Sequence, residues 1–209
     1  MNSRHLYIGI FAVLFLVTGC AKKGPVLVTV ATVAPEKKEA PAKKIVVGLS
    51  ALKDIRDQKS SVLGTTTIPS GTAYDLVTQG TVADLVTTAL KGALEARGVT
   101  VKDIPDWDLS AEGITAEGVD IVIGGQIKKL LAESKSEPFQ TKITATVQLK
   151  FVVADGAEKT IIQTLTLNNR NTSEGVLFSA KKVGSTLGGA LSSAIDQLLN
   201  DEKVSERFQ

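Results

Sequence analysis

The sequence predicts an α+β fold: a two-layer sandwich with two helices on one face of a mainly antiparallel sheet, in strand-helix-strands-helix order. Three observations carry this. Two segments repeat apolar residues at three and four positions, a long segment between them alternates apolar with polar residues, and turn residues separate the runs.

The first element, Ile45-Val46-Val47-Gly48-Leu49, is a continuous apolar run of the kind a buried strand carries. Lys53 to Ser70, rich in Thr, Ser and Gly, reads as a polar loop. From Thr81 the positions Val82, Leu85, Val86, Ala89, Leu90, Ala93 and Leu94 fall on one helical stripe. Thr81 with Asp84 forms a capping pair, and Gly98 supplies the stop. Val119 to Leu131 reads as a strand in which Gly124-Gly125 implies a bulge or bend.

Then the period becomes two. Phe139, Ile143, Ala145, Val147, Leu149, Phe151 and Val153 are expected on one face, and Gln140, Lys142, Thr144, Thr146, Gln148 and Lys150 on the other. Asp155-Gly156 marks a turn, and Thr160 to Asn171 reads as the returning strand. The last helix, Ser179 to Asn200, carries the stripe Val183, Leu187, Leu191, Ala194, Ile195 and Leu198. With both stripes on the apolar face, the other face is expected to be polar and open. Thr144, Thr146 and Gln148, with Thr164, Thr166 and Asn168 as neighbours, make it the candidate partner-binding surface.

Residues 1–19 read as a secretory signal: Arg4 and His5, an uncharged run from Leu6 to Val17, and small residues at the cut. That run is far shorter than the roughly 20 residues of a membrane-spanning helix. Residues 20–44 read as a modified cysteine followed by a tether, AKKGPVLVTVATVAPEKKEAPAKK, rich in Ala, Lys, Val, Pro and Glu. Within it, Val26 to Val33 is β-prone and suits the edge of a sheet as well as a free coil. Residues 45–209 are the single domain expected to fold; their 17 basic and 20 acidic side chains give no basic footprint for nucleic acid.

Cys20 is the only cysteine, so no intramolecular disulfide forms. Val17-Thr18-Gly19-Cys20 resembles the lipobox of bacterial lipoproteins. The resemblance implies diacylglycerol on the Cys20 thiol, cleavage before it, and an acyl chain such as palmitate on the new amine. Such an anchor is firm, since two lipid signals already suffice. Ala21 stands where an Asp would imply retention at the inner membrane, so the analogy places the chain at the outer membrane, facing the periplasm.

The chemistry open to the mature chain is narrow. His5 is the only histidine and lies in the signal. Without His or a free thiol, His-assisted nucleophiles, cysteine nucleophiles and the usual zinc sites are not expected, and no cofactor is expected beyond the covalent lipid. Ser179-Ala-Lys-Lys182 has the Ser-x-x-Lys spacing of penicillin-interacting serine enzymes, as does Ser50-Ala-Leu-Lys53, but the companion Ser-Asp-Asn and Lys-Thr-Gly motifs are absent. Ser179 is therefore read as a helix N-cap. Asp106-Trp107-Asp108 is a candidate ligand or acid/base site, or a turn whose carboxylates accept backbone hydrogen bonds. Asp54-Ile-Arg-Asp57 reads as a site of cation or ligand contacts or as a local ion-paired turn. Ala180, Gly184, Gly188 and Ser192 form a smooth ridge, read as close packing on the sheet or as a partner interface.

The arrangement resembles the YajG-type family of envelope lipoproteins. The likeness rests on Gly19-Cys20-Ala21-Lys22, Asp54 to Asp57, Leu90 to Gly98 as LKGALEARG, and Glu174-Gly175 leading to Phe178-Ser179-Ala180. It implies location and architecture and supplies no catalytic residues. A looser likeness extends to auxiliary lipoproteins of envelope ABC transport and of outer-membrane secretion, which bind partners. The expected function is a lipid-anchored binding or assembly module, not an enzyme, that docks an envelope protein or a periplasmic ligand during envelope maintenance or transport. The alternative is an enzyme acting on cell-wall or lipid material through carboxylates alone, with Asp106 and Asp108 as its candidates.

Overall fold

In chain order the elements are strands β1 (Val26–Leu27), β2 (Val46–Ser50), β3 (Lys53–Asp54), β4 (Val62–Thr67) and β5 (Ala73–Val77), helix α1 (Val82–Ala96), strands β6 (Thr100–Ile104), β7 (Ile121–Glu137), β8 (Gln140–Asp155) and β9 (Thr160–Gly175), helix α2 (Ala180–Asn200), and a short helix α3 (Glu202–Ser205) with a 3-10 turn at Glu206–Phe208. The computed structural model describes residues 24–32, 44–115 and 117–208.

β7 organises the sheet. One edge pairs antiparallel with β8 from Ile121↔Asp155 to Glu137↔Gln140, and β9 pairs antiparallel with β8 beyond it. The other edge receives β2, β3 and β4 in succession, all parallel, at Val47↔Ile121, Lys53↔Gln126 and Gly64↔Ala132. β6 lies parallel outside β2, β5 antiparallel outside β4, and β1 parallel outside β5.

The expected mainly antiparallel, two-layer sandwich is thus corrected to a nine-stranded mixed sheet with three helices. The reason is length. β7 has 17 residues and spans about 55 Å, whereas a five-residue strand covers about 17 Å. The chain from Val46 to Thr67 runs once along β7 in the same direction, so each piece that pairs does so in parallel. The expected loop from Lys53 to Ser70 accordingly contains two of these strands. β2 lies between β6 and β7, and its last four residues are buried, as a continuous apolar run requires.

α1 and α2 cover one face. Val82, Val86, Leu90 and Leu94 of α1 and Val183, Leu187, Leu191 and Leu198 of α2 share one core with Val47, Leu49, Ile123, Ile127 and the β8 series Ile143 to Val153. Thr81 caps α1 by accepting from the Asp84 amide, and Ser179 caps α2 by accepting from the Lys182 amide. Arg97, buried just past α1, donates to the Leu199 carbonyl at 2.7 Å and to Asn200 Oδ1 at 2.8 Å. A cation there complements the negative end of the α2 dipole.

Two further expectations about the sheet are corrected. Phe139 does not join the apolar face. It is 89% exposed with φ 67°, following Pro138 in a two-residue turn between β7 and β8, the pattern of a type II turn. Nor is the second face open throughout: Trp107, Ile114 and Val119 cover Val122, Val152 and Ala154 at one end.

The β-prone run at residues 26–33, whose place the sequence left open, belongs to the fold as far as it is described. The Val28 amide donates to the Val77 carbonyl at 2.8 Å, and Val28 is buried. Residues 28–32 then run along the small-residue ridge of α2. A Cβ at Gly184 would overlap the Thr29 carbonyl oxygen, and one at Gly188 the Ala31 carbonyl oxygen. The ridge is smooth because a backbone lies on it.

Candidate functional site

The alternation of β8 leaves Gln140 and Lys142 exposed and Thr144, Thr146, Gln148 and Lys150 half-buried on the face away from α2. Neighbouring strands add side chains that the β8 sequence alone did not bring in. Thr144 lies between Glu133 and Thr172, Thr146 between Leu131 and Arg170, and Gln148 between Lys129 and Asn168. Thr164, Thr166 and Asn168 of β9 are exposed.

Toward the β7–β8 turn this face forms a groove of about 630 Å³, lined by Thr65, Thr67, Glu133, Lys135, Lys142 and Thr144 among others. Its charges are mixed. Lys135 bonds Glu137 at 2.9 Å with both side chains more than half exposed, and Gln140 Nε2 donates to Glu174 Oε2 at 3.4 Å. Exposed pairs of this kind contribute little to stability, so they are available for exchange with a ligand or partner. The face is therefore more acidic than β8 and β9 suggested, because β7 contributes Glu133 and Glu137. The signal for the missed members was the β-prone Thr65-Thr66-Thr67 run, which the loop reading absorbed.

The Asp106-Trp107-Asp108 loop is built as a turn around a buried indole. Trp107 is 2% exposed; its Nε1 donates to the Ser110 carbonyl at 2.7 Å and its amide donates to Ser50 Oγ at 3.1 Å. A Cβ at Gly124 would come within 2.9 Å of the ring, so the glycine in β7 is what lets the indole lie on the sheet. Asp106 and Asp108 are exposed on either side. Asp108 Oδ1 accepts from the amide and the hydroxyl of Ser110, which hold its proton affinity below the usual carboxylate range. The cavity beside Asp106 measures about 10 Å³, room for one water at most.

Asp54 and Arg56 form a forked ion pair with Nε–Oδ1 and Nη2–Oδ2 both at 2.8 Å, the side chains 14% and 3% exposed. Arg56 Nη1 also donates to the carbonyls of Val62 and Leu130, tying β3 to β4 and β7. The hydrogen bond from Arg56 holds Asp54 below its ordinary proton affinity. Its acceptors and donors are spent on the fold.

Among the described residues no group of three or more His, Cys, Asp or Glu is placed to hold a metal ion, and no helix is long and apolar enough to cross a membrane. Cys20 and the lipobox Val17, Thr18 and Gly19 lie outside the described residues.

No family model matches the chain, and no curated protein matches it. Among solved structures, the Xanthomonas campestris protein XCC0632, of family DUF330, superposes with a TM-score of 0.60 at 9% identity, covering 87% of this chain and 97% of that one. The two share a fold. Looser similarities include the PelC dodecamer of Paraburkholderia phytofirmans, with TM-score 0.44, 14% identity and coverage of 80% and 92%. Lipoprotein GNA1162 of Neisseria meningitidis gives 0.40, 14%, 75% and 99%. The structural neighbours thus include a bacterial lipoprotein, and of the three named here the XCC0632 match bears on the fold.

Proposed function

We propose that this chain is a lipoprotein of the cell envelope, held in the outer membrane by diacylglycerol and an acyl chain on Cys20, whose periplasmic domain docks a protein partner on the polar face of β7, β8 and β9. The observation that supports this most is the groove of 630 Å³ beside Thr144, uncovered by any described element. Its walls are rigid strands, and its Thr, Gln, Lys and Glu side chains offer donors, acceptors and both charges, suiting a polar protein contact. Binding is favoured over catalysis by the Asp106–Asp108 loop, whose carboxylates are exposed and, at Asp108, engaged in the turn. The lipobox and the YajG-type resemblance support the anchor. The looser likeness to transport auxiliaries supports a role beside a transport or envelope-maintenance system.

The test is crosslinking in intact cells with the chain carrying Thr144→Glu, Thr146→Glu and Gln148→Glu. The three positions are half-buried on the polar face, outside the apolar core, so each substitution should cost roughly 0.5 to 1 kcal/mol, with some added repulsion from Glu133 opposite position 144. The variant is expected to fold, to stay anchored, and to lose its crosslinks. Unchanged crosslinks in a folded, anchored variant would refute the docking face.

A further inference from the structure

The three most exposed large apolar side chains among the described residues are Phe139 (89%), Leu177 (79%) and Val176 (66%). The sheet register collects them at one end of the domain. Phe139 sits in the turn that follows Glu137↔Gln140, and Val176 directly follows the pair Thr141↔Gly175. Leu177 lies just before α2, whose N-cap is Ser179. The β4–β5 turn closes at the same end, since Thr67 pairs with both Ala73 and Lys135.

The amino-terminal segment enters the fold at this end too. β1 runs parallel to β5 with Val26↔Leu76, so Gly24 lies toward Ala73. Residues 29 and 31 pass Gly184 and Gly188 in the same order, so going backward along the chain leads past the start of α2, toward Leu177. Cys20 precedes Gly24 by four residues, a reach of about 14 Å at most. Phe139, between β7 and β8, is three to four strand spacings from β1, or about 17 Å.

From this geometry we propose that the end carrying Phe139, Val176 and Leu177 rests on the lipid surface, with these side chains entering the headgroup region. The inference rests on the reading of Cys20 as the lipid anchor. An anchor with so short a reach holds this end, and no other, against the bilayer. The charge leans the same way: Lys142, Lys181 and Lys182 lie beside the patch with Glu174 as their acidic neighbour, Lys135 is ion-paired with Glu137, and Lys22 and Lys23 follow the anchor in sequence. Apolar tips ringed by lysine suit an interface with anionic lipid.

The test uses the full lipidated chain in vesicles of phosphatidylethanolamine and phosphatidylglycerol. Single cysteines at Phe139→Cys, Leu177→Cys and, in the β8–β9 turn at the opposite end, Glu158→Cys carry an environment-sensitive fluorophore. Nitroxide-labelled lipids report contact, and the mass of the amino-terminal peptide is read in parallel. Probes at 139 and 177 should be blue-shifted and quenched at least twofold, and the probe at 158 should be neither. Equal quenching at all three sites overturns the proposal, and so does a blue shift without quenching, which would mean that protein covers the patch. Unquenched probes beside an acylated Cys20 overturn this inference alone. An unacylated Cys20 overturns the anchor reading, and the quenching at 139 and 177 then decides separately whether this end meets lipid.

Discussion

Two Gly→Ala substitutions, one in each long helix, should change stability in opposite directions. Gly92 in α1 is exposed, with nothing within 4 Å of an added Cβ, so Gly92→Ala should stabilise by about 1 kcal/mol through helix propensity alone. Gly188 in α2 carries the same propensity gain, but its Cβ would overlap the Ala31 carbonyl and must lift residues 28–32 off the helix. Lifting them exposes Val28, now 1% exposed, at about 2 kcal/mol, and breaks the hydrogen bond from Val28 to Val77, worth about 1 kcal/mol. Less the propensity gain, Gly188→Ala should lose about 2 kcal/mol. Urea unfolding of the mature chain carrying Cys20→Ala measures both. A Gly188→Ala protein as stable as its parent would show that residues 28–32 do not pack on α2 in solution.

Arg56→Ala should cost about 3 kcal/mol, because it strands the Asp54 carboxylate and the carbonyls of Val62 and Leu130, and denaturant unfolding reads it directly. Asp54 is held below its ordinary value of 3.8, so its contribution is complete above that pH and is lost as pH falls through the folded-state value; Asp54→Asn should flatten the acid limb of a stability-pH profile. An unchanged acid limb would mean that the ion pair is not formed. Trp107→Ala should cost about 3 to 5 kcal/mol by leaving a cavity over Gly124, and the parent's sole tryptophan should emit at short wavelength until the protein unfolds.

Both helices and the β8 strand were legible because each carries a periodic apolar signal that reports which face is buried. The Val82–Leu94 stripe, the Thr81 and Ser179 caps and the alternation from Gln140 to Val153 need no knowledge of neighbours. Strand partners are another matter. Nothing in Ile45–Leu49 or in Thr65-Thr66-Thr67 states that both lie parallel along one 17-residue strand, since that depends on the length of β7, which Gly124-Gly125 and the polar residues after Leu131 disguised. The α2 ridge was visible, and so was the β-prone Val26–Val33 run, but their pairing requires a contact across more than 150 residues. Asp106 and Asp108 were ambiguous because a turn and a site share the same composition; the buried indole between them and the Ser110 hydrogen bonds resolve their geometry.

The anchor on Cys20 underlies the proposed location, docking role and membrane-facing end, and one experiment addresses it: membrane fractionation of parent and Cys20→Ala cells, with the mass of the mature amino terminus. The account predicts a parent chain that begins at Cys20 with diacylglycerol and an acyl chain, and a variant released from the membrane. A Cys20→Ala protein that remains firmly bound to the membrane, or a parent chain that is not acylated at Cys20, would contradict it.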